Sequence, residues 1–241
     1  SAERYPSSPM KALEARLPEA RIIVDEGTNV QAAATLAAES DLVLVFANQW
    51  AAESVDVASL SLPDNQDALI AAVAKANKKT AVVLQTGGAV LMPWLNDVGA
   101  VVEAWYPGTS GGEAIARVLT GEVNPSGHLP VTFPATEAQL PRAKVDGYPE
   151  VKDQRFEVNY TEGATVGYKW FDAHKHTPLF PFGYGLSYTD FEFSDLKVVA
   201  SDDQLNISFS VKNTGAVAGK EVAQVYVAPL DIKWESPKRL G

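Results

Sequence analysis

The chain has 241 residues, of which 46% are hydrophobic and 21% are charged, and its formal net charge at pH 7 is −10. This composition is typical of a folded globular protein and excludes a largely disordered one. The acidic charge disfavours nucleic acid and anionic membranes as partners, and the lack of cysteine excludes disulfides, thiolate catalysis and cysteine-based metal sites.

The first half of the chain alternates short apolar runs with helical patterns. Continuous apolar strands separated by helices are typical of a mostly parallel sheet sandwiched by helices, so this half is predicted to be α/β. Thr28 or Asn29 is suited to cap the second helix. We predict helices at 29–39, 65–77 and 112–119, and strands at 21–24, 41–47, 80–85 and 99–105.

The pattern changes after Pro134. Residues 135–165 are polar and weakly periodic, which predicts a long excursion or linker. Beyond residue 191 the hydrophobic period becomes two, with predicted strands at 196–199, 205–211 and 221–227 and a turn at 212–215. These strands predict a partial antiparallel β-sandwich, because a complete one needs about seven strands.

Three ordered stretches carry a family resemblance. The first is N-Q-W-A-A-E-S-V-D at 48–56, followed by L-S-L-P at 60–63 and by Gln66. The second begins with V-E-A-W-Y-P-G at 102–108 and ends with N-P-S-G-H-L-P-V-T-F-P at 124–134. The third is P-L-F-P-F-G-Y-G-L-S-Y at 178–188. In order and spacing the set resembles family 3 glycoside hydrolases of the β-glucosidase type.

The resemblance implies a division of the chain into two parts. Residues 1–188 are similar to the family's C-terminal α/β sandwich domain, and 189–241 look like an incomplete fibronectin type III-like domain. Family members begin with a TIM-type barrel that supplies a nucleophilic aspartate, and no such barrel fits in this chain. We therefore expect a missing barrel domain or a companion chain as a partner, and both ends of the chain look trimmed.

The resemblance also assigns a catalytic residue. Retaining glycoside hydrolysis needs two carboxyl groups about 5–5.5 Å apart, and Glu53 matches the family's general acid/base by position. Trp50 and Asp56 are the expected substrate-binding residues. The alternatives are that Glu53 is an exposed loop glutamate and that Asp56 caps the turn before Leu60.

Further aromatic residues are open to two interpretations. Trp105, Tyr106, Tyr168, Trp170 and Phe171 are candidates for sugar-stacking platforms, but aromatic residues between glycine and proline more often pack in a core or between domains. The Gly87–Gly88 pair lacks the spacing of a dinucleotide site.

The function implied by the resemblance is that of part of a retaining exo-acting β-glucosidase. Its substrate would be a β-glucoside or β-glucan oligosaccharide, hydrolysed at the terminal non-reducing residue, and no cofactor or metal is expected. The alternative is a non-catalytic carbohydrate-binding or interaction module. A secreted or periplasmic location is expected, although no signal peptide opens this chain.

Overall fold

The computed structural model describes residues 7–53, 57–142, 147, 155–230 and 236–241. Five helices and seven strands are assigned within these ranges. The helices are α1 Pro9–Arg16, α2 Val30–Ala38, α3 Gln66–Ala76, α4 Gly111–Leu119 and α5 Tyr168–His174. The strands are β1 Val43–Asn48, β2 Thr80–Gln85, β3 Ala100–Glu103, β4 Phe191–Ala200, β5 Leu205–Asn213, β6 Tyr226–Val227 and β7 Arg239–Leu240.

A three-stranded parallel sheet organises the first half of the chain, in the order β1-β2-β3. The central strand β2 is buried on both faces: Val82, Val83 and Leu84 are all fully inaccessible to solvent. Because successive side chains of a strand point to opposite faces, both faces of the sheet are covered. The predicted α/β class is therefore confirmed.

The main hydrophobic core lies between this sheet and the helices α2 and α3, which pack against each other. Asn29 caps α2 by accepting a hydrogen bond from the backbone N–H of Ala32, at 3.1 Å. Trp94 is 1% exposed, and its indole Nε1 donates to the carboxylate of Asp67 at 2.7 Å. The buried residues of the cluster are Ala33, Ala37, Val45, Ala47, Leu62, Ile70, Val73, Val82, Leu84, Val90, Met92, Trp94 and Phe133.

The strand predicted at 21–24 is absent from the structure. Residues 21–26 have no regular secondary structure, and Ile23 and Val24 are 50% and 64% exposed. A strand exists only through hydrogen bonds to a neighbour, and no described strand pairs with this segment or with the outer edge of β1. The prediction was wrong because an apolar run alone does not provide a pairing partner.

The last part of the chain contains two small antiparallel pairs. β4 pairs with β5 and contains a bulge between Ser194 and Lys197. β6 pairs with β7. The strand predicted at 221–227 is reduced to its last two residues, and β7 was not predicted at all. The structure thus confirms the antiparallel character of this part, while the domain boundary at residue 188 stays a prediction.

Within the described ranges, we find no helix with the length and apolar character needed to cross a membrane.

Candidate active site

The carboxyl ends of the three parallel strands meet at one edge of the sheet. The segment containing Gln49 and Trp50 follows β1, the turn at 86–88 follows β2, and residues 104–106 follow β3. Open α/β sheets bind ligands at this edge. The candidate site is therefore formed by these three connections.

The end of β1 is held by the side-chain amide of Gln66, at the start of α3. Its Oε1 accepts a hydrogen bond from the backbone N–H of Asn48 at 2.8 Å, and its Nε2 donates to the carbonyl oxygen of Asn48 at 2.8 Å. Nε2 also donates to the carbonyl of Pro63 at 2.9 Å. Gln66 thus fixes the last residue of β1 by both of its backbone groups.

Gln49 is the next fixed residue. Its backbone N–H donates to the carbonyl of Gln85 at 3.2 Å, and its own carbonyl accepts a hydrogen bond from the hydroxyl of Tyr106 at 2.5 Å. Its side chain is buried, and the Nε2 atom has no hydrogen-bond partner among the described residues. Gln49 is therefore bound both to the end of β2 and to the connection after β3.

A second anchor lies ten residues further along, at Ser59 and Leu60. One carboxylate oxygen of Glu137 accepts hydrogen bonds from the Ser59 hydroxyl at 2.8 Å and from the Leu60 backbone N–H at 2.6 Å. The carbonyl of Leu60 accepts from the backbone N–H of Leu91 at 2.9 Å. We call residues 50–58, between the anchors at Gln49 and Ser59, the catalytic arc, after the role that the family resemblance predicts for Glu53.

Two of the three predicted site residues lie on described parts of this arc. Glu53 is solvent-exposed, and the indole of Trp50 is 71% exposed. Asp56 lies outside the described residues. The arc therefore displays a carboxylate and an aromatic ring at the ligand-binding edge of the sheet, and the roles assigned to all three residues stay predictions.

Glu103, the last residue of β3, is a feature of the same edge that the sequence analysis missed. Its Oε1 accepts a hydrogen bond from the backbone N–H of Trp105 at 2.8 Å, and its Oε2 lies 3.1 Å from the hydroxyl of the fully buried Thr86. Burial raises the pKa of Glu103 to about 7, although hydrogen bonds from Trp105 and Thr86 oppose the rise. The sequence offered one signal, a carboxylate directly after an apolar run.

Trp105 and Tyr106 form a corner beyond Glu103. Trp105 has a φ of 51°, in the left-handed region that non-glycine residues rarely adopt. Its indole packs edge-on against Phe133 in the core, with ring centroids 6.2 Å apart. The Tyr106 ring covers Gly87, where a Cβ atom would lie 2.9 Å from the ring. A Cβ atom at this position would therefore displace the Tyr106 ring.

The other aromatic candidates serve in packing. The Trp170 indole donates to the carbonyl of Gln139 at 2.8 Å, and Phe171 is 6% exposed. The hydroxyl of Tyr168 accepts a hydrogen bond from the backbone N–H of Leu240 at 2.8 Å. These contacts favour the packing interpretation over sugar-stacking platforms. Among the residues with described positions, no three histidine or carboxylate side chains converge as a metal site.

Comparison with known proteins identifies the class of this domain. Residues 1–188 match the model of the glycosyl hydrolase family 3 C-terminal domain. β-Glucosidase B of Emericella nidulans is 47% identical over 207 residues, which cover 80% of this chain and 24% of that protein. Thermostable β-glucosidase B of Acetivibrio thermocellus is 41% identical over 210 residues, covering 84% and 27% respectively.

Solved structures agree with this assignment. DesR, a β-glucosidase from Streptomyces venezuelae in complex with D-glucose, matches with a TM-score of 0.78 and 45% identity over 88% of this chain and 27% of its own. β-Glucosidase 3B from Thermotoga neapolitana in complex with glucose matches with a TM-score of 0.85 and 30% identity, over 100% of this chain and 39% of its own.

The chain belongs to glycoside hydrolase family 3 and carries its C-terminal domain. It spans about a quarter of the length of the curated relatives it matches. The resemblance stated from the three sequence motifs is confirmed.

Proposed function

We propose that this chain supplies the general acid/base of a retaining β-glucosidase, and that Glu53 is that residue. The observation that carries the proposal is the catalytic arc, which displays Glu53 at the carboxyl edge of the parallel sheet between anchors at Gln49 and Ser59. A general acid must be held in place, because proton transfer requires hydrogen-bond distance to the leaving oxygen.

The second carboxylate comes from elsewhere in this proposal. A retaining mechanism needs a nucleophile about 5–5.5 Å from the acid/base, and the family resemblance assigns it to a TIM-type barrel. Glycosidase acids are kept protonated by burial. Glu53 is exposed in this chain, so in the assembled enzyme the barrel would bury it by closing over the arc.

The proposed substrate is a terminal non-reducing β-D-glucosyl residue. Relatives named β-glucosidases, two of them solved with bound glucose, support this choice. Trp50 supports it too, because a flat exposed indole on the arc offers an apolar face to a sugar ring. We include Asp56 as a substrate-binding residue on the family pattern alone.

The experiment compares leaving groups in the full-length protein that contains this chain. Phenyl β-glucoside needs a proton on its departing oxygen, whereas 2,4-dinitrophenyl β-glucoside does not. For Glu53→Gln we expect kcat/KM to fall about 10³-fold with the phenyl substrate and by far less with the dinitrophenyl substrate. The matched control is Glu39→Gln, an exposed glutamate after α2. Equal losses with both substrates would count against a general acid.

A companion experiment tests the need for the barrel. The 241-residue chain alone should not turn over an aryl β-glucoside, and activity should require the longer protein or a co-purified barrel chain. Glucan binding by the chain alone, together with an inactive longer protein, would favour the non-catalytic carbohydrate-binding module instead. Efficient turnover by the chain alone that Glu53→Gln abolishes would refute the division of the catalytic pair between domains.

A further inference from the structure

Three oxygen atoms form a row at the carboxyl edge of the sheet. The hydroxyl oxygen of Thr86 lies 3.1 Å from Oε2 of Glu103 and 2.8 Å from the carbonyl oxygen of Gly88. A carbonyl only accepts hydrogen bonds, an ionised carboxylate only accepts, and a hydroxyl carries one hydrogen. With Glu103 ionised, a single hydrogen would have to satisfy two acceptors.

Protonation of Glu103 resolves this shortage. The carboxyl group then donates from Oε2 to the Thr86 hydroxyl, and the hydroxyl donates to the carbonyl of Gly88. Oε1 remains the acceptor for the backbone N–H of Trp105, at 2.8 Å. In this state each of the two contacts has a hydrogen of its own. The two distances therefore fit the protonated acid.

Ionisation would change the turn that follows β2. If the Thr86 hydroxyl rotates toward the carboxylate, the partly buried carbonyl of Gly88 loses its donor. The adjacent Gly87 lies directly against the ring of Tyr106, and the hydroxyl of Tyr106 holds the carbonyl of Gln49. A displacement of the turn is thus transmitted through one ring to the first anchor of the catalytic arc.

We infer that Glu103 is a positioning residue for Glu53, and that its protonated form holds Gln49, the first anchor of the catalytic arc, through Thr86, the turn at 86–88 and Tyr106. This inference rests on the proposed function of Glu53. Because Glu103 does not touch the substrate in this account, its effect should appear as a pH dependence that is separate from proton donation by Glu53.

The surroundings of Glu103 are consistent with titration near neutral pH. Burial raises its pKa to about 7, and the opposing influences are the hydrogen bonds that the ionised carboxylate accepts from the Trp105 N–H and from the hydroxyl and N–H of Thr86. Within the described residues, the titratable groups on the adjoining connections are Glu53 and Asp64 after β1 and Tyr106 after β3. Neither they nor any charged side chain among the described residues contributes to the shift.

The test measures kcat/KM of the full-length enzyme against pH with 2,4-dinitrophenyl β-glucoside. Because the leaving group of this substrate needs no proton, loss of the acid form of Glu53 should not lower kcat/KM on the alkaline side of the profile. At pH 8 about one Glu103 side chain in ten remains protonated. We therefore expect kcat/KM of the wild type to fall up to about tenfold between pH 6 and pH 8. In Glu103→Gln this fall should disappear, because the amide can donate to Thr86 and accept from Trp105 at every pH.

Variants of Thr86 provide the second arm. Thr86→Val removes the relaying hydroxyl and should lower kcat/KM several-fold below pH 7, whereas Thr86→Ser should restore the wild-type pH profile. Glu39→Gln serves as the exposed control and should keep that profile. If the wild type and Glu103→Gln show the same alkaline limb, or if Thr86→Val behaves as the wild type, the positioning role is refuted.

A readout without substrate separates this inference from the proposed function. Amide hydrogen exchange at residues 86–88 and 104–106, corrected for the intrinsic rate, should accelerate between pH 6 and pH 8 in the wild type and not in Glu103→Gln. Identical exchange in the two proteins would overturn the inference even if Glu53 proves to be the acid. If amide exchange shows the expected pH dependence but the full-length protein has no β-glucosidase activity, only the proposed function is refuted.

Discussion

The hydroxyl of Tyr106 lies 2.5 Å from the backbone carbonyl oxygen of Gln49 and donates a hydrogen bond to it. This bond joins the connection after β3 to the connection after β1, across 57 positions of sequence. It fixes Gln49, the residue directly before the catalytic arc. The start of the arc is therefore held by a side chain that is remote from Glu53 in sequence.

Removal of this hydroxyl should affect catalysis more than stability. In Tyr106→Phe we expect kcat/KM of the full-length protein to fall about 10-fold, since small displacements of catalytic groups are costly. The loss of unfolding free energy should be about 1 kcal/mol. The matched control is Tyr188→Phe, which removes a hydroxyl bonded to the carbonyl of Val118 at 2.9 Å. Similar losses of activity in both variants would contradict the role of Tyr106.

The amide of Gln66 should be a stabilising group as well as a positioning one. Gln66→Met keeps the length of the side chain but removes its three hydrogen bonds to Asn48 and Pro63. We expect a loss of about 1–2 kcal/mol of unfolding free energy, measured by urea denaturation. Gln31→Met, on the exposed surface of α2, should change it by less than about 0.5 kcal/mol. If Gln66→Met is as stable as this control, the hydrogen bonds of Gln66 do not stabilise the fold.

Two tryptophan residues provide a matched test of the core. Trp94→Phe removes buried volume and leaves the carboxylate of Asp67 without its indole donor. We expect a destabilisation of about 2–4 kcal/mol. Trp50→Phe changes an indole that is 71% exposed, and it should alter stability by less than about 0.5 kcal/mol while raising KM. Thermal and urea unfolding measure the first effect, and steady-state kinetics the second.

Glu103 should make stability decrease as pH rises. Its pKa in the folded state is raised from 4.5 to about 7, so the folded state binds the proton more tightly than the unfolded state does. The resulting stabilisation is fully present below about pH 4.5 and is lost as pH rises through about 7. After allowance for partial exposure, we expect roughly 2 kcal/mol.

The measurement is the difference in unfolding free energy between Glu103→Gln and the wild type at several pH values. This difference should shift in favour of the variant by roughly 2 kcal/mol between pH 5 and pH 8. For Glu39→Gln, the exposed control, it should stay constant. A constant difference for Glu103→Gln as well would show that its carboxyl group titrates alike in the folded and unfolded states.

The parts of the fold that could be predicted are those determined by the local sequence, through hydrophobic runs and capping residues. The boundaries of β2 were predicted to the residue, because a buried central strand is a continuous apolar run. Asn29 was one of two predicted caps for α2, because its side chain suits that position. The third strand ends earlier than predicted because Trp105 leaves the extended conformation at a φ of 51°.

The contacts of the candidate site are largely non-local, which is why the sequence revealed only part of them. Glu103 meets Thr86 because the sheet register pairs Glu103 with Leu84, and no local motif encodes that pairing. The hydrogen bonds of Gln66 to Asn48 and of Glu137 to Ser59 likewise span 18 and 78 positions of sequence. Glu53 was found through family resemblance, and export of the protein stays a prediction.

The most direct test of the central claim is chemical rescue of Glu53→Ala in the full-length protein. Azide occupies the space left by the missing carboxyl group and, as an anion that needs no general base, attacks the glucosyl-enzyme intermediate. With 2,4-dinitrophenyl β-glucoside, we predict that azide raises the turnover of this variant at least about tenfold and yields β-glucosyl azide. No rescue, or α-glucosyl azide as the product, would contradict the assignment of Glu53 as the acid/base of a retaining enzyme.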